Sequence, residues 1–160
     1  MMNDEQIELN NIISVDMGEC KMFDEKEQKY LETNGLGHCV GVAIVIRTID
    51  GNIHRLLGHI VMEEEDEYSF DELKVCIKKI KEKTKNIINR IEISFTTTQS
   101  YRNFSFLTED EMKLLKIIRK EFNFSIRDIK FNYYENVQIS PDGIITNNSE
   151  RTDDNKHIIK

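Results

Sequence analysis

Apolar residues along this chain gather in short runs that are typical of strands or repeat at helical spacing. Val40 to Thr48 is rich in Val and Ile and predicts a buried strand. Asp50-Gly51 follows, a dipeptide that favours a tight hairpin turn, and Ile53 to Met62 is the expected returning strand. The pattern therefore predicts an antiparallel hairpin near the middle of the domain.

Two later segments repeat their apolar residues at helical spacing. Ser69 is the predicted N-cap of the first helix, and Glu72 completes a capping box. The apolar stripe of this helix is Leu73, Ile77, Ile80, Thr84, Ile87 and Ile88. Thr108 and Glu111 form the same capping pattern before the second helix. The second stripe is Met112, Leu115, Ile118 and Phe122.

Shorter apolar segments predict the remaining strands. They are 12–15, 91–95, 126–134, 137–139 and 144–145, the last of them after a turn at Pro141-Asp142-Gly143. Repeats and linkers are not apparent, so we expect one α/β domain over residues 11–146 with six or seven strands and two main helices. Residues 1–10 are expected to be a flexible N-terminus, 63–67 a solvated acidic loop, and 147–160 a disordered polar tail.

Composition narrows the range of partners. The 160 residues suit one domain, and a net charge of −7 argues against non-specific binding to nucleic acid or to an anionic membrane. Apolar runs fall short of the roughly 18 residues of a spanning helix, and the first residues lack a signal-peptide pattern. The three cysteines are odd in number and widely spaced. A reducing, cytoplasmic location is therefore expected, rather than a disulfide framework.

Cys39 is the main candidate for chemistry. It follows a glycine-bearing loop and precedes the buried strand, and loops held by rigid elements often carry reactive groups. A thiol becomes nucleophilic when a neighbouring base takes its proton, and His59 is the natural candidate for that base. Thr33 offers a hydroxyl and a carbonyl that would orient the imidazole. Such pairs attack the carbonyl carbon of esters, thioesters, peptides and carboxamides.

The hairpin decides whether Cys39 and His59 share a face. A two-residue turn pairs positions whose numbers sum to 101, which places His59 on the opposite face from Cys39. A bulge or a longer loop restores the common face, but a gap of about four residues, roughly 13 Å along the strand, remains. The backbone would then have to bend near Cys39, which glycines at positions 35, 37 and 41 permit.

Simpler interpretations of the same residues stay open. A cysteine beside a valine-rich strand, such as Cys39, is also typical of a small buried apolar residue. His59 is also compatible with a histidine on an edge strand whose hydrogen bonds are all made. Cys20 and Cys76 are expected to be structural. Zinc binding is a further alternative, although short CxxC or HxxxH pairs are missing. Its ligands would be Cys20, His38, Cys39 and His59.

Three segments resemble the CheD family of protein-glutamine deamidases. Residues 33–44, Thr-Asn-Gly-Leu-Gly-His-Cys-Val-Gly-Val-Ala-Ile, resemble the family's threonine, its glycine-rich cysteine loop and its valine-rich strand. Residues 56–62 resemble its histidine segment, and residues 15–21 its opening strand and turn. The resemblance spans about residues 11–146. It is specific in the first half and concerns only the order of elements in the second.

The resemblance implies a CheD-like layered sandwich of mostly antiparallel strands with two main helices. It implies Cys39 as nucleophile, His59 as general base and Thr33 as the group that orients His59. The substrate or oxyanion loop would contain Gly35, Gly37 and His38. The reaction converts glutamine side chains of a partner protein to glutamate through a thioester, without a metal or an organic cofactor. That partner is a chemoreceptor, or a host protein as for the cytotoxic necrotizing factor-type toxins, which share the catalytic layout.

Departures from the family pattern motivate other hypotheses. His38 stands where the family usually has serine, the glycine pair expected within 93–99 is absent, and so is a late Asp-x-Gly-Gly segment. One alternative is a catalytically inactive CheD-like module that binds proteins. Another is transglutamination, in which an amine replaces water. As an effector, the chain would leave the cell by a route that needs no signal peptide.

Overall fold

The computed structural model describes residues 11–23, 27–62, 68–98 and 109–147, with the backbone alone at 110 and 126. These ranges contain nine strands, two α-helices and a short 3-10 helix at Ile126–Asp128. The strands are β1 Ile12–Ser14, β2 Cys20–Phe23, β3 Tyr30–Thr33, β4 Val40–Thr48, β5 Ile53–Ile60, β6 Ile88–Thr96, β7 Ile129–Asn132, β8 Val137–Ile139 and β9 Ile145–Thr146. The helices are α1 Tyr68–Thr84 and α2 Glu109–Arg119.

The strands form two sheets of unequal size. One has the order β2-β5-β4-β6-β7 and the other the order β1-β3-β8-β9. Only β1–β3 and β6–β7 pair in parallel among the described ladders. The predicted α/β domain with two helices and mostly antiparallel strands is thus confirmed. None of the described helices is long and apolar enough to cross a membrane.

The five-stranded sheet is covered on both faces, with β4 at its centre. Even-numbered residues of β4, such as Val42 and Ile44, pack with both helices in the larger apolar core. Odd-numbered residues, such as Ala43 and Val45, pack against the smaller sheet. This explains why β4 lacks polar alternation, because side chains on both of its faces are buried.

The β4–β5 hairpin has a longer loop than the predicted two-residue turn. The residue numbers of each pair in this hairpin sum to 100, as in Val40–Ile60. The last hydrogen bond before the loop is donated by Thr48 N–H to the Asn52 carbonyl at 3.0 Å. Three residues therefore form the loop, ending in Gly51 at a φ of +88°. Of the alternatives that the sequence left open, the longer loop is the one formed, and the two-residue turn is excluded.

Both ends of α1 differ from the prediction. The helix begins at Tyr68, and the Ser69 hydroxyl accepts from Val61 N–H at 3.0 Å, so it secures the end of β5. The helix ends at Thr84, because Asn86 adopts a left-handed φ of +67°. Ile88 then begins β6. Assigning Ile87 and Ile88 to the helical stripe was therefore wrong.

The apolar face of α2 is rotated from its predicted position. Met112 is 48% exposed, whereas Leu114 is fully buried beside Leu115 and Ile118. Phe122 joins the same core from beyond the end of the helix. Since Lys113 extends over the Phe70 ring at 4.4 Å, a charged residue covers part of the α1–α2 contact.

Other strand predictions need correction. Strands β2 and β3 were not predicted, and Thr33 ends β3 instead of belonging to a loop. Strand β7 covers only 129–132, following the 3-10 turn. The predictions for residues 1–10, for the acidic run 63–67, for the Thr108 cap and for the polar tail beyond residue 147 lie outside the described residues.

Arg55 joins the two sheets through a buried guanidinium. Its side chain is 1% exposed and lies 5.5 Å from the centre of the Phe23 ring. It donates to the carbonyls of Lys29 at 2.7 Å, Glu27 at 2.8 Å and Ile139 at 3.3 Å. Because these carbonyls accept from Arg55, its removal leaves one buried acceptor, the Ile139 carbonyl, and two partly buried acceptors without this donor.

We therefore expect Arg55→Met to lower the free energy of unfolding by roughly 2–4 kcal/mol, through unpaired buried carbonyls. Arg90→Met is the matched control, because Arg90 is 65% exposed and its loss should cost less than about 0.5 kcal/mol. Urea denaturation of both variants measures the difference. Equal losses would contradict a structural role for Arg55.

Candidate active site

Thr33 and His59 meet where the two sheets face each other, and Cys39 lies two residues before Gly41, the strand partner of His59. Thr33 is the last residue of β3, His59 the penultimate residue of β5, and Cys39 directly precedes β4. Thr33 thus comes from the smaller sheet, and the other two from the larger one. Bringing them together requires the two sheets to pack face to face.

Strand register places Cys39 and His59 close together. Gly41 stands directly opposite His59, and Cys39 lies two residues before Gly41. His59 lies on the face toward the smaller sheet, because it bonds to Thr33 of that sheet. Cys39 precedes the strand, and its Cα is at most about 7 Å from the Gly41 Cα, the reach of two residues of extended chain. The gap is therefore two residues along the strand, not the four predicted.

Gly41 is required by close packing at this point. A Cβ atom added there would lie 2.9 Å from Val137 Cγ1 and 3.4 Å from two methyl carbons of Leu36. Leu36 is 1% exposed, so it anchors the loop before Cys39 onto the sheet. The absence of a side chain at Gly41 thus lets the cysteine loop approach His59.

A hydrogen bond from His59 to Thr33 determines the tautomer of the imidazole. Thr33 Oγ1 lies 2.6 Å from the Val15 carbonyl and 2.7 Å from His59 Nδ1. A carbonyl has no proton, so the single hydroxyl proton of Thr33 is donated to Val15. Thr33 must therefore accept from His59, which places the ring proton on Nδ1. In the neutral ring, Nε2 then carries the lone pair that a general base needs.

The turn after β1 holds the backbone of His59. Gly18 N–H donates to the His59 carbonyl at 2.8 Å, and His59 N–H donates to the Glu19 carbonyl at 2.9 Å. The same segment supplies the Val15 carbonyl that orients Thr33. One short turn therefore determines the position of both residues.

Burial keeps the imidazole neutral. His59 is 2% exposed, and this desolvation lowers its pKa, while attraction to the Asp16 carboxylate opposes the shift. Nε2 has no hydrogen-bond partner within the described ranges. A buried acceptor without a partner is unusual. It is the atom that the chemistry of a general base requires.

Cys39 directly follows the loop at residues 34–38, in which every residue except Leu36 is exposed. It is 7% exposed, yet it belongs to neither apolar core. Its N–H donates to the Leu36 carbonyl at 2.6 Å, closing a turn in which Gly37 has a φ of +50°. Positive φ at the first central residue alone is typical of a type II′ turn, which favours glycine there.

The predicted oxyanion loop is held at both ends. Leu36 N–H donates to the Glu135 carbonyl at 3.0 Å, and the Thr98 hydroxyl donates to the Gly37 carbonyl. Gly35 also has a left-handed φ, of +62°. The N–H groups of Gly37 and His38 donate to no backbone carbonyl in the described part of the chain. Cys39 N–H, in contrast, is engaged by the Leu36 carbonyl.

The other cysteines lie apart from this site. Cys20 and Cys76 belong to the core on the helix side, where Cys76 Sγ donates to the Cys20 carbonyl at 3.2 Å. Burial raises the pKa of Cys20. The alternative of a zinc site is not supported, since no three of the described His, Cys, Asp and Glu residues form a group that could hold a metal ion.

Sequence reasoning missed two residues of the site. Asp16 is the acidic group whose charge acts on His59. Thr96 is fully buried and stands opposite Gly41 on the side away from His59, and its hydroxyl accepts from Asn147 at 3.4 Å. Only the register of β6 against β4 reveals Thr96, because three consecutive threonines carry no signal of which one faces the site.

No family model matches the sequence, and no curated protein matches it. The chemistry of the site is therefore inferred from its residues and their geometry.

Replacing Thr33 tests the hydrogen bond. We expect Thr33→Val to lower the free energy of unfolding by about 1–3 kcal/mol, because it leaves the Val15 carbonyl and the His59 Nδ1–H unpaired. Thr33→Ser retains the hydroxyl, so its free energy of unfolding should fall clearly less than that of Thr33→Val. Thermal unfolding of the two variants makes the comparison. If the serine variant were as unstable as the valine variant, the loss of stability would come from the threonine methyl group and not from the hydrogen bond.

His59 should also make stability depend on pH. Its pKa is lowered in the folded protein, so the unfolded chain binds its proton first as the pH falls. The contribution to stability is complete above the ordinary histidine pKa of about 6.5 and declines as the pH drops through it. His59→Gln should remove this decline between neutral and mildly acidic pH, whereas replacing the exposed His38 by Gln should retain it. An unchanged pH profile for His59→Gln would contradict burial of a neutral imidazole.

Proposed function

We propose that the protein is a cysteine hydrolase that deamidates glutamine side chains of a protein substrate. The observation that carries this proposal is the hydrogen bond between Thr33 and His59, which leaves His59 Nε2 unprotonated and without a hydrogen-bond partner in the described residues. A thiol, a base and a group that orients the base are the parts that acyl transfer needs. The resemblance to CheD proteins in the cysteine and histidine segments supports glutamine as the side chain attacked.

His59 Nε2 takes the Cys39 proton in the first step, and the thiolate attacks the carboxamide carbon. The carbonyl π bond opens, and its oxygen takes the negative charge. The N–H groups of Gly37 and His38 stabilise this oxyanion. Collapse of the intermediate breaks the C–N bond, and His59 returns the proton so that ammonia leaves. A thioester to Cys39 remains.

Water completes the reaction. His59 Nε2 accepts a proton from water, and the hydroxide attacks the thioester carbon. Breaking the C–S bond releases glutamate and restores the thiol. The sum is amide plus water to carboxylate plus ammonium. Thr33 keeps Nδ1 protonated throughout, so Nε2 alone exchanges protons.

The environment of His59 suits both halves of this cycle. A lowered pKa keeps Nε2 free to accept the thiol proton near neutral pH. The nearby Asp16 carboxylate stabilises the imidazolium that forms with the thiolate. We place the activity in a reducing compartment such as the cytoplasm, because the nucleophile must remain a thiol. Chemoreceptors and host proteins both remain candidate substrates.

Ammonia release and mass provide the direct test. Incubation with glutamine-containing proteins should release ammonia and raise the substrate mass by the roughly 1 Da of a Gln-to-Glu change, because nitrogen is replaced by oxygen. Cys39→Ala should abolish both signals, and Cys76→Ala, which removes a thiol in the core on the helix side of the larger sheet, should retain them. Full activity in Cys39→Ala would refute the mechanism. A labelled amine incorporated in place of water would indicate transglutamination.

Thiol reactivity tests the Cys39–His59 pair without a substrate. Iodoacetamide should modify Cys39 well below pH 8.5, about the value of an unperturbed thiol, because His59 takes the proton. His59→Gln should slow this modification at neutral pH, whereas His38→Ser should not. Peptide mapping by mass spectrometry follows each cysteine, so Cys20 serves as an internal control. A rate independent of His59 would favour the non-catalytic binding module instead.

A further inference from the structure

A large cleft lies against β6 and β7, and Thr33, Cys39 and His59 are not among the residues that line it. Residues of β6 and β7 line it together with residues around β9, so the smaller sheet leaves part of the face of β6 and β7 uncovered. The cleft measures about 1010 Å³. Its floor is formed by β6 and β7, and its wall by residues 143–147 around β9.

Positive charge predominates in this cleft, although the protein carries a net charge of −7. Four cationic residues and two carboxylate residues line it, which leaves an excess of two positive charges. Glu92 is shared between Arg47 at 3.8 Å and Arg90 at 3.7 Å. Arg127 and Lys130 are exposed and make no ion pair within the described residues. An anionic group would therefore find unpaired cations here.

A row of polar side chains connects the cleft with the candidate site. Asn132 Nδ2 donates to Ser94 Oγ at 2.8 Å, and both residues line the cleft. Asn147 also lines it and donates to Thr96, which stands opposite Gly41. One end of the cleft thus adjoins the row that contains Gly41 and His59.

The wall of the cleft is the outer edge of a sheet. Strand β9 pairs with β8 on one side, and no described strand pairs with its other side. Such an edge offers N–H and C=O groups to an added strand. A peptide in extended conformation would use these groups, while its alternate side chains reach the basic floor.

We propose that this cleft binds an extended, acidic segment of the substrate protein as an additional strand beside β9. The inference rests on the proposed function, because the bound segment would present its glutamine past Thr96 to Cys39. Carboxylates of the segment pair with Arg127 and Lys130, and its backbone pairs with β9. Substrate choice then depends on acidic residues near the target glutamine.

Charge and shape favour a protein segment over a nucleic acid. The net charge of −7 repels a long polyanion, whereas a few carboxylates interact only with the local excess of positive charge. A free strand edge pairs with a peptide backbone and has no equivalent use for a sugar-phosphate chain.

The test uses full-length Cys39→Ala protein and a fluorescent synthetic peptide in which glutamates flank one glutamine. Fluorescence anisotropy should show binding that weakens with added salt, and that is about tenfold weaker after Arg127→Glu combined with Lys130→Glu. The matched control is Lys78→Glu combined with Lys79→Glu, an equal change of charge on the exposed face of α1, which should leave the affinity nearly unchanged.

Several results would overturn the proposal. Equal weakening by both charge reversals would indicate non-specific attraction. Equal affinity for a peptide with prolines at alternate positions would exclude pairing with β9, because proline lacks the N–H donor. Tighter binding of an equally charged single-stranded oligonucleotide would make the cleft a nucleic-acid site.

Turnover separates this inference from the proposed function. Charge-dependent peptide binding together with a wild-type protein that releases no ammonia would support the docking cleft and contradict the deamidase. Ammonia release that is unchanged by the Arg127 and Lys130 reversals, even with acidic substrates, would support the deamidase and contradict the docking cleft.

Discussion

The register of the β4–β5 hairpin is the constraint on which the rest of the site depends. Side chains alternate along a strand, so a shift of one residue would turn His59 away from the smaller sheet and from Thr33. The three-residue loop ending at Gly51 prevents this shift. It also places Gly41 opposite His59, where the missing side chain admits the loop that carries Cys39.

One hydroxyl proton then determines the chemistry of the imidazole. Thr33 donates that proton to the Val15 carbonyl, so it can only accept from His59 Nδ1–H. The other ring nitrogen, Nε2, is therefore unprotonated in the neutral imidazole. The polar pair lies between two sheets, where an unpaired group would be costly. The orientation of His59 is thus maintained by the same packing that stabilises the fold.

The unequal width of the two sheets connects fold with function. Where the smaller sheet covers the larger one, apolar side chains from both exclude water and form a core. Beyond β9 the face is polar and basic, and the cleft begins there. Thr96 lies at the boundary, fully buried yet hydrogen-bonded to Asn147 of the cleft. The proposed catalytic and docking regions are therefore neighbouring parts of one interface between the sheets.

Local pattern was sufficient for elements whose signal lies within a few residues, such as the central strand and both helices. It failed at the ends of the first helix. Ser69 bonds to Val61, eight residues earlier, and Asn86 ends the helix although apolar spacing continues through Ile88. Strand β2 was missed because its apolar signal is weak and pairing with β5 stabilises it. By itself, the sequence determined the order of the main elements and singled out the candidate residues of the proposed site, since these follow from nearby residues and side-chain chemistry. Only the tertiary structure decided the register, the tautomer and the basic cleft, because each depends on atoms that are distant along the chain and come together when the two sheets pack.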